Sequence, residues 1–177
     1  KQIFNKRRTN KIKKEIFPVQ LKDMTLADPP QRIPSKQYFG LAQQITDNIS
    51  PKLFTYKQIT VLDLSNNPSL CEIPEDIQHL RALKTLRLNS CSISQLPLTM
   101  LSLNNLDSLE LNKNKFSQFF PVVDLSLVVM ESLTHLSLNS NQFTSVPPIC
   151  KRMPRLKQLH LHMNRLTDVS ELCRPAY

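Results

Sequence analysis

The spacing of leucines constrains this chain more than any other feature. Five times the sequence places Leu or Ile, two residues, Leu, one residue, Leu, two residues, then a small polar side chain and a closing apolar residue. The copies are Ile59-Leu62-Leu64-Asn67-Leu70, Leu83-Leu86-Leu88-Cys91-Ile93, Leu106-Leu109-Leu111-Asn114-Phe116, Leu133-Leu136-Leu138-Asn141-Phe143 and Leu156-Leu159-Leu161-Asn164-Leu166. They begin 24, 23, 27 and 23 residues apart. The rhythm fits neither the 3.6-residue period of a helix nor the strict alternation of a long strand. A period of this size is instead the mark of a stacked array, in which each unit is too small to bury its own apolar side and its neighbours complete the burial.

Within each unit the pair of leucines separated by one polar residue reads as a short strand with one buried face. Strands of successive units then stack in parallel, and each buried leucine contributes roughly 1.5–3 kcal/mol. The asparagine has a different task. The chain leaves the strand sharply there, and an inward-facing amide can both donate and accept for the backbone groups that lose their strand partners. A buried group left unpaired would cost about 1–3 kcal/mol. Cys91 takes this position in the second unit, where we read it as a small buried spacer rather than a redox or metal residue. Units close on an apolar residue followed by proline, as at Ile73-Pro74, Leu96-Pro97, Phe120-Pro121 and Val146-Pro147. Proline presets an extended turn, so "IPEDIQHL" and "LPLTMLSL" predict short helical or 3₁₀ segments on the far side. "FPVVDLSLVVMESL" lengthens the third unit by about one helical turn, 3.6 residues.

Composition removes whole classes of function. One glycine among 177 residues leaves no glycine-rich phosphate loop. No apolar run reaches the roughly 18 residues of a membrane span, and the charged start lacks the apolar centre of a secretory signal. The chain does not begin with methionine, and we expect it to be a segment of something longer. Four scattered cysteines, Cys71, Cys91, Cys150 and Cys173, form no CxxC pair, which suggests reduced thiols in a nuclear or cytosolic protein. Charge is unevenly spread. Residues 1–22 hold eight cations against Glu15, a net of +7 out of the formal +9, leaving +2 for the rest. The run Lys6, Arg7, Arg8, Lys11, Lys13, Lys14 has three readings: a solvated linker, a nuclear-import patch, or a salt-dependent nucleic-acid contact.

We therefore divide the chain into a basic flexible linker or tail (1–22), an N-terminal cap or degenerate repeat (23–56) and a repeat domain of five units (57–177). "YFGLAQQITDNISPKLF" is expected to cover Leu62 and Leu64 as a half-repeat or short helix. "LTDVSELCRPAY" shows no obvious cap, so further chain or a partner is expected there. The outward positions of the strands predict a polar, mixed-charge face. Its central column is Asp63, Arg87, Glu110, Ser137 and His160; a flanking column includes His135, and another Asn89, Asn112, Asn139 and His162. We take Asp63, Arg87, Asn89, Glu110, Asn112, His135, Ser137, His160 and His162 as the partner-binding set, because a rigid sheet holds side chains in fixed register about 4.8 Å apart. The three histidines allow a pH-sensitive contact. They lack the further ligands a zinc ion wants, so neither metal nor cofactor is expected. No nucleophile turn, HExxH or paired carboxylate in a cleft is present, so no catalysis is expected.

The five copies resemble the leucine-rich-repeat superfamily, and the "LP" endings without cysteine-rich flanks resemble its intracellular branch. The resemblance implies an α/β repeat fold: a right-handed solenoid with a parallel concave β-sheet and short helical or 3₁₀ convex segments. More narrowly, "IPSKQYFGLAQQI", "LDLSNN", "LRLNSCSISQLP", the lengthened third unit and "LSLNSNQFTSVP" resemble the leucine-rich-repeat substrate receptors of the cullin-2 ubiquitin ligase. That resemblance implies a nuclear protein with elongin and cullin-2 as partners, recognising the replicative CMG helicase for ubiquitylation and removal. A cytosolic scaffold of the small-GTPase-associated repeat type and a structural subunit of a nucleoprotein particle remain open alternatives.

Overall fold

In a computed structural model of the chain, residues 38–41, 49–121 and 129–167 are described. The basic tail, the added turn of the third unit and the segment after Thr167 lie outside them. Six three-residue strands form one sheet in chain order: β1 Tyr38–Gly40, β2 Val61–Asp63, β3 Thr85–Arg87, β4 Ser108–Glu110, β5 His135–Ser137 and β6 Gln158–His160. Every neighbouring pair is parallel, and the central leucines stand in register: Leu62 beside Leu86, then Leu109, Leu136 and Leu159. The sixth strand comes from the segment expected to cover the first unit. β1 pairs with β2 through Phe39 opposite Leu62, so the start of this segment extends the sheet, and a 3₁₀ turn follows at Pro51–Thr55.

The links between strands are 3₁₀ segments at Pro51–Thr55, Glu75–His79, Leu98–Ser102 and Pro148–Arg152. Proline explains their starts. Pro74 and Pro97 sit extended at ψ 149 and 144, feeding a single tight turn. Each turn is closed by a backbone N–H: Leu80 donates to the Ile77 carbonyl and Leu103 to the Met100 carbonyl, both at 3.1 Å. One residue per turn, Ile77, Met100 or Ile149, points inward and is buried. The core is one continuous spine between the sheet and these turns. Leu62, Leu64, Leu86, Leu88, Leu109, Leu111 and Leu138 are 0 % exposed. The closing residues extend it, with the rings of Phe116 and Phe143 stacked at 6.5 Å and nearly parallel.

The inner asparagines bind successive units together. The Asn114 amide nitrogen donates to the Leu88 carbonyl of the unit before at 2.7 Å and to its own Leu111 carbonyl at 3.1 Å. Its oxygen accepts the N–H of Ile93, again one unit back, at 3.1 Å. Asn141 repeats the pattern on Leu111, Leu138 and Phe116, and Asn164 on Leu138, Leu161 and Phe143. Cys91 does only part of this: its thiol donates to the Leu64 carbonyl at 3.4 Å. Thiol sulfur is a weak acceptor, and the Leu70 N–H that would meet an asparagine oxygen turns to the Asn67 carbonyl instead, at 3.0 Å. The residue just before each of these positions is left-handed: Asn66, Ser90, Lys113, Ser140 and Met163 have φ between 55° and 59°. With one glycine in the chain, ordinary residues make all five of these turns, at about 1–2 kcal/mol each for those with a bulky Cβ substituent.

Candidate functional site

The strand phase read from the leucines places the polar residues outward. Apart from buried Ser65, residues at the central and flanking positions of β2 to β5 are half-buried, whereas Gln158, His160 and His162 at β6 are exposed. The face is more tightly organised than a solvated surface. Arg87 lies between two carboxylates, its Nε donating to Glu110 Oε1 at 3.0 Å and its Nη1 3.9 Å from Asp63 Oδ2. Hydrogen bonding to Glu110 raises the Arg87 pKa above its ordinary value. Asp63 Oδ2 also accepts the Tyr38 hydroxyl at 3.3 Å. Burial, then the Asp63 charge, push the Tyr38 phenol upward. Glu110 Oε2 accepts the Asn89 amide at 2.8 Å.

A second ladder runs beside this cluster. Ser65 Oγ accepts the N–H of Asn89, Asn89 Oδ1 that of Asn112, Asn112 Oδ1 that of Asn139, and Asn139 Oδ1 that of His162. Each of these side chains thus holds the backbone of the next unit. Asn89 and Asn112, taken from sequence as partner contacts, already serve this joint, and Asn139 does the same. Their amide groups offer a partner only what remains after the ladder is made. The signal was available in the sequence: Asn recurs at three consecutive copies of one position, as it does at the inner ladder.

The C-terminal end differs. Thr134 Oγ1 donates to Asp107 Oδ1 at 2.6 Å and contacts His135 Nδ1. With its hydrogen committed to the carboxylate, the hydroxyl accepts from the ring, so Nδ1 carries a proton. Ser137 Oγ lies 3.4 Å from His160 Nδ1. The rings of His160 and His162 are 6.2 Å apart on one strand. Among the described residues no group of three His, Cys, Asp or Glu could hold a metal ion. Cys71, Cys91 and Cys150 are free thiols, and burial raises those of Cys91 and Cys150, the latter to about 12. A raised thiol is a poor nucleophile. Among the described residues no helix is long and apolar enough to cross a membrane.

Lys6, Arg7, Arg8, Lys11, Lys13 and Lys14 fall outside the described residues.

Comparison with known proteins agrees with the repeat reading. A model of "Leucine Rich Repeat" matches residues 58–80, and a model of "Leucine Rich repeats (2 copies)" matches 131–174. A search of the curated proteins finds no match. Among solved structures, a leucine-rich-repeat protein of Leptospira interrogans superposes over 77% of this chain and 40% of its own, at 25% identity and a TM-score of 0.61. The functional domain of InlJ from Listeria monocytogenes, described as including a cysteine ladder, covers 71% of this chain and 25% of its own at 28% identity and a TM-score of 0.48. The chain therefore spans less than half the length of either. The chain carries leucine-rich repeats, and its described residues fold as the solenoid that such repeats build.

Proposed function

We propose that the chain is a protein-recognition module whose sheet face grips a partner without chemistry of its own, and that it serves as the substrate receptor of a cullin-2 ubiquitin ligase acting on the replicative helicase. The first part is supported by the bracing of the face. Asp63, Arg87, Glu110 and Asn89 are fixed by one another, so little side-chain freedom is lost when a partner arrives, and ordering cost is what limits most interfaces. The second part is supported by the segments "IPSKQYFGLAQQI", "LRLNSCSISQLP" and "LSLNSNQFTSVP" quoted above. The basic tail, read as an import patch, suits a nuclear site of action.

Affinity capture tests both parts. The full-length protein should co-purify with elongins and cullin-2; their absence from a nuclear extract capture would end the ligase reading. Arg87→Glu and Glu110→Lys should each weaken capture of the partners at least tenfold. Partners retained at wild-type levels by both variants, and by His160→Ala, would refute binding through this face. Capture of a small GTPase, insensitive to neutralising the tail, would make the chain a signalling scaffold.

A further inference from the structure

We propose that the C-terminal part of the face, formed by His135, His160 and His162 and flanked by Arg155, Lys157 and Arg165, docks an acidic segment of the partner protein. This rests on the reading of the sheet face as a protein-binding site and specifies the chemistry that site selects.

Charge is segregated along the array. Between residues 49 and 110, six acids (Asp63, Glu72, Glu75, Asp76, Asp107, Glu110) offset five bases (Lys52, Lys57, Arg81, Lys84, Arg87). From residue 132 to 167 there are five bases, Lys151, Arg152, Arg155, Lys157 and Arg165, and no Asp or Glu, with Glu131 just before this stretch and Asp168 and Glu171 after it. Arg87 is spent on Glu110 and Asp63 inside the face. Arg155, Lys157 and Arg165 are exposed and have no carboxylate partner among the described residues.

The fold places these cations at the two ends of β6. Arg155 and Lys157 sit immediately before β6, His160 ends it, and Arg165 follows the turn at Asn164. The register puts Ser137 beside His160 and His135 beside Gln158. The His135 ring is oriented by Thr134, and the His162 ring has no hydrogen-bond partner among the described residues. A carboxylate approaching this row meets imidazole N–H donors, with cations at both ends of β6. Next to His162, the Met163 side chain is 81% exposed, the most exposed large apolar group among the described residues. It offers an apolar contact beside the charged one.

An acidic peptide fits better than a nucleic acid. Between residues 132 and 167 the lone Phe, Phe143, is buried, and Tyr and Trp are absent, so stacking platforms for bases are missing. A phosphate backbone continuing across the sheet would meet Glu110 and Asp63. A protein segment can place its acids over β5 and β6 and neutral or basic residues over β2 to β4.

The probe is a fluorescent twelve-residue peptide of alternating Glu and Asp, read by anisotropy at low salt against the whole chain. Lys6, Arg7, Arg8, Lys11, Lys13 and Lys14 are replaced by Gln in every protein compared, so that the tail cannot capture it. Binding is expected to fall at least tenfold in the Arg155→Glu/Lys157→Glu pair, at least threefold in His160→Ala/His162→Ala, and less than twofold in Lys84→Glu, the same repeat position three units earlier. All these side chains are exposed or at the sheet rim, and an unchanged melting curve confirms the fold. No peptide binding, an equal loss in Lys84→Glu, or tighter binding of a single-stranded DNA of equal charge would overturn the proposal. Because partner capture is scored separately with Arg87→Glu and Glu110→Lys, failure of the peptide with capture intact removes the acidic-segment assignment and leaves the protein-recognition reading standing.

Discussion

Replacing Asn114 by alanine separates a structural amide from a surface one. Asn114 is 8% exposed, and the groups it serves belong to Leu88 and Ile93, both 0 % exposed. Alanine removes the acceptor of the Ile93 N–H and the side-chain donor to the Leu88 carbonyl. The Leu111 carbonyl keeps a partner, since Asn141 also donates to it at 2.9 Å. Two stranded groups at about 1–3 kcal/mol each bracket the loss, and we expect ~3 kcal/mol. Asn112, two residues away, is the control. It accepts the Asn139 N–H at 2.9 Å and donates to Asn89 at 2.9 Å, but it is half-buried and water can replace it. Asn112→Ala should cost about 1 kcal/mol or less. Urea unfolding reads the difference: with a slope of about 2 kcal/mol/M, Asn114→Ala lowers the midpoint by roughly 1.5 M. In melting curves the shift is roughly 6–12 °C. The slope must stay constant between variants, because arrays can lose cooperativity when a joint is cut. Equal losses at the two sites, or less than about 1 kcal/mol at Asn114, would mean that the buried ladder does not hold the units together.

Cys91→Asn should stabilise by about 0.5–1.5 kcal/mol by giving the Leu64 carbonyl and its neighbours an amide donor in place of the weak thiol; a loss in chemical denaturation would show that the thiol's smaller volume matters more. Lys113→Gly should gain about 0.5–1 kcal/mol, the left-handed strain relieved less the extra freedom of an unfolded glycine, whereas Lys113→Val should lose about 1–2 kcal/mol. A double-mutant cycle on Arg87 and Glu110 should give a coupling of only about 0.5–1 kcal/mol, because both side chains are about one-third exposed, and it should shrink in 1 M salt. Cys150, whose thiol is pushed to about 12, should resist iodoacetamide at pH 8 in the native protein while exposed Cys71 reacts. The native Cys150 thiol holds its proton more tightly than the unfolded one, whose ordinary value is 9.0. Its contribution to stability is therefore complete below that pH and is lost as pH rises toward about 12.

Much of the architecture was readable because leucine spacing reports burial directly. A residue between two buried leucines of a short strand has nowhere to point but outward, so Asp63, Arg87, Glu110 and Ser137 were placeable before any coordinates. Pro74 and Pro97 likewise mark the 3₁₀ starts, since proline fixes the local backbone. Cooperation between side chains was less legible. Asn89 and Asn112 looked like ligands for a partner because polarity at an outward position says nothing about what lies beside it. Only the parallel register shows that each faces the next unit's N–H. The Asp107–Thr134–His135 chain was hidden for the same reason, since its first member is 27 residues from the second. The strand at Tyr38–Gly40 was obscured because its segment lacks the leucine pair; pairing with β2 supplies what local pattern does not.

The inner ladder gives the core of the array a direction, opposite to that of the outer one. Asn67, Asn114, Asn141 and Asn164 each reach backward, toward the unit made before them. Shortening the array from its early side would release amide side chains, which can swing out and be hydrated. Shortening it from the late side would instead bare main-chain atoms that cannot move. The two ends of such a stack are chemically unlike, and wear should begin at the one where the clasp, rather than what it clasps, has been taken away.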